Sequence, residues 1–244
     1  WCGVFGLKPS LGRIPIDPPY TGRAAGPMTR SVADSAFAMQ WLSRPDARDT
    51  MSLPPQDIAW GELTSDDAPA RSVAALKGLR IGLLLDAGCG LPVDPEVRAA
   101  VERAARVFAA AGAVVEPLQP FFTREMLDGL DHFWRMRSHV DLKALPAERE
   151  AKVLPYIRAW AHSAAGMDGE TLFRAQHQSY LTRMATVKAT SHCDFVISPT
   201  SPVTAFDAEL PSPTNDPLRP LEHIAFTVPF NMSEQPAASV NCGY

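Results

Sequence analysis

At 244 residues the chain can form one large domain or two small ones, and a globule of that size buries roughly three quarters of the surface its unfolded chain would expose. Hydrophobic residues at 46% and charged residues at 20% exclude a disordered chain, and no apolar run reaches the roughly 20 residues that a membrane-spanning helix needs. With 23 Lys and Arg against 27 Asp and Glu the formal charge is -4, and without a basic stripe or basic helix the sequence argues against a nucleic-acid partner.

The first segment, WCGVFGLKPSLGRIP, predicts a short strand through Val4, Phe5 and Leu7, ended by a turn at Pro9 and Gly12. Trp1 and its neighbours are too apolar for a free terminus, and the last segment, PAASVNCGY, is β-prone and stops without a turn or polar tail, so both ends read as cut from a longer chain. Ser31 three residues before Asp34 forms a capping-box-like start to a helix over residues 31–43, with Val32, Ala36 and Met39 on its inner face and Pro45 as its stop. Residues 44–77 are polar, Pro-rich and aperiodic, which predicts a surface excursion with its most mobile tip at residues 66–70.

The apolar run LRIGLLL at residues 79–85 predicts a strand covered on both faces. A helix follows, with Asp94 as N-cap, Pro95 at the first helical position, an apolar stripe of Val97, Val101, Ala105 and Phe108, and Gly112 as its end. Residues 113–118 return as a strand, completing a βαβ unit. From 123 to 191 the period is helical: Met126, Leu130 and Phe133 mark one helix, Leu154, Ile157, Ala161 and Ala164 a second with Pro155 in its first turn, and Phe173, Tyr180, Met184 and Val187 a long third. Residues 193–203 predict a strand that runs into a Ser/Thr/Pro loop. A second proline-rich loop at 211–220 leads to HIAFTVPFNMSEQPAASVNCG, and residues 193–244 as a whole read as a strand–loop–strand end. The architecture predicted is α/β, a mixed, partly parallel sheet flanked by helices in a single unit, with segments at 1–44, 45–77, 79–118, 123–191 and 193–244.

Few residues nominate themselves for chemistry. His132 and His139 share a helix, but seven residues apart, which does not match the i, i+4 spacing of a zinc-binding helix, so no metal or other cofactor is expected. Lys8 beside Gly6 lacks the Gly-rich run and Ser/Thr of a phosphate loop and reads as an ordinary lysine at a strand end. Cys2, Cys89, Cys193 and Cys242 are scattered, three of them in or beside apolar runs, so they read as small buried hydrophobes in a reducing cytoplasm rather than as a disulfide framework. No serine sits in a G-x-S-x-G elbow. The segment ISPTSP at 197–202 reads either as a strand end that delivers hydroxyls to a ligand or as a stiff turn, and Asn231 and Ser233 either as ligand contacts or as local turn and cap groups.

Taken in order, CGVFGLKPSLGRIP, GPMTRSVADSA, LRIGLLL with the βαβ unit after it, CDFVISPTSP and FTVPFNMSEQPAASVNCG resemble the amidase signature family, most closely over residues 2–42 and 226–243. That resemblance implies hydrolysis or transfer of carboxamide nitrogen by a nucleophilic serine, a second serine held by a cis peptide bond, and a lysine. A desolvated neutral lysine can take the nucleophile's proton through the bridging serine, and backbone N–H groups can stabilise the oxyanion. In the family the Gly-Gly-Ser stretch lies just upstream of the residues matching Trp1 and Cys2, so the resemblance places no catalytic residue in this chain, and Lys8 does not match the catalytic lysine. Met28, Pro199, Thr200, Ser201 and Asn231 match positions that line or brace the substrate cavity.

The expected partner is a small-molecule amide, with no nucleic acid and no membrane, and a homodimer is left open. The chain alone is expected to be inactive, and poorly soluble through apolar faces left bare on strands such as 79–85 or 4–7. Two alternatives stand beside a stand-alone amidase. One is the A subunit of a tRNA-dependent amidotransferase, ranked lower because the loop IDPPYTGRAA is short. The other is a non-catalytic α/β module for small-molecule binding or scaffolding.

Overall fold

A computed structural model describes residues 2–65 and 67–243. Trp1, Asp66 and Tyr244 lie outside the described residues, and with them part of the argument about the termini and the expected loop tip. In chain order the elements are β1 (Phe5–Lys8), β2 (Met28–Thr29), α1 (Val32–Leu42), a 3-10 turn (Trp60–Thr64), α2 (Ala68–Ala74), β3 (Arg80–Leu83), α3 (Pro95–Ala110) and β4 (Val114–Pro117). There follow α4 (Arg124–Lys143), α5 (Ala147–Glu150), α6 (Pro155–His162), α7 (Gly169–Thr190), β5 (Phe195–Ile197), a second 3-10 turn (Glu222–Ile224), α8 (Val228–Met232) and β6 (Ala237–Ser239).

The α/β architecture is as expected, but its mixed character lies between sheets rather than within one. β1 is the centre of an antiparallel sheet in the order β2-β1-β6, and β3 the centre of a parallel sheet in the order β4-β3-β5. The βαβ unit is β3–α3–β4, with Ile81 opposite Val115, and the chain then passes through α4 to α7 before β5 pairs with the other edge of β3, Ile81 opposite Phe195. Beneath β3, Leu84, Leu118, Phe122, Leu127, Leu130, Phe226 and Met232 form the main core with α4 and α8. Among the described residues no helix is long and apolar enough to cross a membrane.

Local chemistry explains most starts and stops. Ser31 caps α1 by accepting from the Asp34 N–H at 3.1 Å. Pro95 and Pro155 occupy first-turn positions in α3 and α6, where a missing N–H costs no helical bond. Thr123 and Asp168 cap α4 and α7. Gly12, at φ 76°, has its Cα so close to the Met51 carbonyl that a Cβ there would sit 2.1 Å from the oxygen, so glycine is required where the excursion folds back on the first strand. Leu53 N–H donates to the Gly12 carbonyl at 2.8 Å, and the buried Asp49 carboxylate accepts from the Ile16 and Met51 N–H groups.

Several expectations are corrected. The excursion is not featureless, since the first 3-10 turn and α2 lie within it. Within the last segment, 193–244, the short helix α8 lies between β5 and β6. The strand expected from 193 is only Phe195–Ile197, since Pro199 and Pro202 cannot donate to a ladder. Val32 is exposed, although Ala36 and Met39 of the same predicted face are buried. None of the cysteines is fully buried: Cys2 and Cys242 are exposed, Cys89 and Cys193 half-buried. The apolar face expected to be bare on residues 79–85 is covered, with Ile81 and Leu84 buried.

The long helix expected from Phe173, Tyr180, Met184 and Val187 is α7, but these four residues are 72%, 51%, 67% and 46% exposed, and its buried face carries Ala175, Thr182, Thr186 and Thr190. These threonines need no outside partner. Thr182, Thr186 and Thr190 donate to the carbonyls of Gln178, Thr182 and Thr186 at 2.7, 2.7 and 2.9 Å, so each hydroxyl is satisfied inside the helix. Their small size lets α4 and α8 pack closely on that side.

A second polar cluster holds α6 and the second proline-rich loop to α4. Buried Arg135 donates to Asp131 Oδ2 at 2.7 Å, to Ser163 Oγ at 2.8 Å and to the Pro217 carbonyl at 2.8 Å, while Trp160 Nε1 donates to Asp131 Oδ1 at 2.8 Å. Burial pushes the Asp131 carboxyl up, against the opposing pull of these donors.

A candidate site between the two sheets

The loop after β5 is stiff and presents one hydroxyl outward. Pro199 and Pro202 are fully buried, and the Pro202 carbonyl accepts from the Asp94 N–H at 2.8 Å, tying the loop to the start of α3. Between these anchors Ser201 Oγ accepts from the Val203 N–H at 3.3 Å, a local turn bond, whereas Thr200 is exposed and its Oγ1 meets Ser239 Oγ at 2.9 Å. Ser201 thus makes a local turn bond, whereas Thr200 faces outward. Because Ser239 belongs to β6, this contact joins the end of the parallel sheet to the antiparallel one.

Behind β6 lies a denser polar knot. Ser233 Oγ donates to Gln235 Oε1 at 2.9 Å, and Gln235 Nε2 donates to Thr190 Oγ1 at 3.3 Å, which continues the threonine ladder of α7 into the turn before β6. Glu234 holds φ 65°, a left-handed conformation that costs a non-glycine residue of order 1 kcal/mol, and its carboxylate pairs with Arg183 at 2.8 Å. Lys8 Nζ donates to the Gln235 carbonyl. Burial lowers the Lys8 amine to about 8, with the Glu234 carboxylate pulling the other way, so an appreciable share of it is neutral near physiological pH.

The remaining site residues read from the sequence do not converge on one point. Met28 is 80% exposed in β2, which pairs with the opposite edge of β1 from β6. Asn231 is half-buried near the end of α8, where its carbonyl accepts from the Glu234 N–H at 3.2 Å, and Ser233 makes the short-range bond already given. Sequence reasoning passed over Ser239 and Gln235, and read Lys8 as an ordinary lysine at a strand end. For Lys8 the signal was available, since a lysine inside an apolar strand run is a buried amine in waiting; for the other two, only the strand pairing reveals the contact. His139, considered as a ligand, instead meets His162, Nδ1 to Nδ1 at 3.0 Å, and His162 Nε2 meets Glu150 at 2.6 Å. Burial pushes the Cys89 thiol up to about 11, which makes it a poor nucleophile at neutral pH.

A cleft of about 240 Å³ lies between the 19–21 loop, α4, α7 and α8, lined by Tyr20, Leu130, Phe133, Trp134, Tyr180 and Met232 among others, and none of Thr200, Ser239 or Lys8 lines it. Gly22, at φ 80°, lies against Met232 of this lining, where a Cβ would sit 2.5 Å from Met232 Cε. Arg137 and Arg23 stand over the Tyr20 ring at 5.2 and 5.4 Å, fixing it in place.

Comparison with known proteins gives a consistent result. The family model described as Amidase matches residues 1–244. The A subunit of glutamyl-tRNA(Gln) amidotransferase from Synechococcus sp. (strain RCC307) is 30% identical over all of this chain and 54% of its own length, and that from Myxococcus xanthus (strain DK1622) is 31% identical over 99% of this chain and 53% of its own. Among solved structures, a bacterial aryl acylamidase of the amidase signature enzymes superimposes with a TM-score of 0.78 at 25% identity, covering 100% of this chain and 52% of that one. A 6-aminohexanoate cyclic dimer hydrolase complexed with substrate superimposes with a TM-score of 0.70 at 25% identity, covering 98% and 53%. The chain spans about half the length of the curated relatives it matches.

Proposed function

The chain belongs to the amidase family, and from that premise we propose that it forms the wall and floor of a site that hydrolyses carboxamide C–N bonds. The observation that carries this reading is the family match along residues 1–244, and the geometry at Thr200 agrees with it. When Thr200 and Ser239 hydroxyls bond to each other at 2.9 Å, one hydrogen is used between them and one remains free. The free hydrogen can donate to a substrate carbonyl, and the remaining lone pairs can accept from an amide N–H. Pro199 and Pro202 keep the loop from adjusting, so the pair is pre-positioned.

The attacking group and its base are a separate matter. Among the described residues Lys8 gives its hydrogen bond to a backbone carbonyl rather than to a serine, so no serine–lysine relay is assembled around it. We therefore assign substrate positioning to this chain and nucleophilic attack to groups it does not hold. Met28 and Asn231 stay in the proposal as flanking contacts, with Pro199 and Ser201 as the braces of the Thr200 loop.

The test is a carboxamide panel offered to the longer polypeptide that contains these residues, followed by release of carboxylate and amine. Thr200→Val combined with Ser239→Ala is expected to lower kcat/KM by about tenfold, the scale of one lost hydrogen bond. No hydrolysis of any carboxamide, or a double variant with unchanged kcat/KM, overturns the assignment. A second reading, transfer of amide nitrogen as the A subunit of an amidotransferase, is favoured by the names of the 30% and 31% identical relatives. It predicts glutamine hydrolysis that rises on adding partner subunits, whereas a stand-alone amidase shows no such dependence.

A further inference from the structure

The ladder between β1 and β6 stops early, and its last contact is made by a side chain. β6 consists of Ala237, Ala238 and Ser239, small residues with no buried apolar face, and among the described residues it pairs with β1 alone. A strand so short and small does little to fix its own register. Register matters here, because Ser239 stands opposite Gly6, where a Cβ would lie 4.0 Å from the Ser239 Cβ, and from that place its hydroxyl meets Thr200 at 2.9 Å. A slip of one residue would turn Ser239 to the other face of the sheet, and a slip of two would carry it about 7 Å along the strand.

Beyond the pairing of Lys8 with Ala237 the next residues are Pro9 and Pro236, and neither has an N–H to extend the ladder. The Gln235 carbonyl lies past that break, and the Lys8 amine donates to it. Two other contacts hold the same turn to α7, Gln235 Nε2 to Thr190 at 3.3 Å and the Glu234 carboxylate to Arg183 at 2.8 Å. They fix the turn on the helix, but not which residue of β1 faces which of β6. From the β1 side Lys8 is joined by the Leu11 N–H, which donates to the Glu234 carbonyl at 3.3 Å.

We propose that Lys8 is a positioning residue for the Thr200–Ser239 pair, its side chain holding the Gln235 carbonyl across the two prolines and so keeping β6 in the register that presents Ser239 to Thr200. What the pair does rests on the substrate-positioning reading above; the register itself is tested apart from it. Lys8 is not there as a stabiliser. Burial lowers its amine to about 8, so below that pH its charge costs free energy in the folded protein. Lys8→Met should therefore loosen β6 without unfolding the molecule.

The first measurement is a cross-link in the longer polypeptide that contains these residues. Gly6→Cys with Ser239→Cys places two Cβ atoms at a separation that a disulfide spans, and with Lys8 present the bond should form readily on adding diamide, mapped by peptide mass against each single variant. Adding Lys8→Met, or Lys8→Gln with its side chain one atom shorter, should slow that bond about fivefold or more with the thermal transition in place, and Lys8→Arg, which keeps a donor, should restore it to within about twofold. The second measurement is carboxamide turnover at neutral pH. Lys8→Met should lower kcat/KM about tenfold through KM, yet cost less than about twofold more in a Thr200→Val, Ser239→Ala background, because it acts through that pair. The proposal is overturned if the cross-link forms equally fast without Lys8, if a folded Lys8→Arg fails to restore it, or if the turnover loss from Lys8→Met adds in full to that of the hydroxyl double variant. Turnover that ignores the double variant would remove the substrate-positioning reading alone, and the cross-link rate would still decide the register.

Discussion

Two long helices, α3 and α7, show opposite relations between sequence pattern and burial. In α3 the buried residues Ala100, Val101 and Ala105 belong to the apolar stripe, and Glu96, Arg98, Arg103 and Arg106 are exposed, together with Val107. In α7 the apolar stripe points outward and threonines are buried. Periodicity reports which side of a helix is apolar. Whether that side is the covered one depends on how closely the neighbours must approach, and on whether the buried side can satisfy its own polar groups. The hydroxyl-to-carbonyl ladder of Thr182, Thr186 and Thr190 meets the second condition at little cost, so a polar face can be packed between helices.

The largest effect is expected where polar burial depends on a partner. Arg135→Ala leaves the Asp131 carboxylate buried and unpaired beside Trp160, and should cost about 3–5 kcal/mol in urea unfolding. Replacing both residues, as Asp131→Leu with Arg135→Met, should cost much less, and an equal loss would show that the cluster acts through shape rather than charge. Next come two substitutions of opposite size. Shrinking α3 by Val101→Ala should cost about 1.5–3 kcal/mol, and enlarging α7 by Thr186→Leu about 1–3 kcal/mol, because the first face is filled by bulk and the second by closeness. If Thr186→Leu stabilises the protein, the buried face of α7 is loosely packed and the contrast between the two helices fails.

The polar knot beside β6 gives a test by pH. The Lys8 amine is lowered from 10.5 to about 8 in the folded protein, so between these values the unfolded chain holds more protons and stability should rise with pH. Below about 8 the cost of burying the charge is fully present. The difference in unfolding free energy between the native chain and Lys8→Met, followed from pH 7 to 11, should show that rise; a flat difference would mean the amine is solvated. The smallest effects belong to the outer stripe of α7. Phe173→Ser and Met184→Ser should each stay within about 0.5 kcal/mol of the parent, as exposed positions do, and a loss of several times that would show the stripe to be covered.

How much of this the sequence disclosed follows from the range of the forces involved. The β3–α3–β4 unit was legible because its caps, prolines and apolar stripe are local, and each acts within a few residues. The start of α1 was legible for the same reason, through Ser31 and Asp34. α8 was hidden because five residues are too few to show a helical period, and the core around Phe226 and Met232 draws the segment into a helical turn. Of the site, the Thr200 loop was visible from its prolines, but Ser239 and Gln235 acquire their positions from pairing between distant parts of the chain, Lys8 opposite Ala237. Nothing near them in sequence carries that information.

A serine-directed fluorophosphonate, applied to the purified chain and read by intact mass alongside amide turnover, tests the assignment of roles most directly. The account predicts no adduct on any serine and no amine released, since Thr200 and Ser239 bind without an activating base. One adduct per chain on a serine of residues 2–243, with measurable amide hydrolysis, would contradict it.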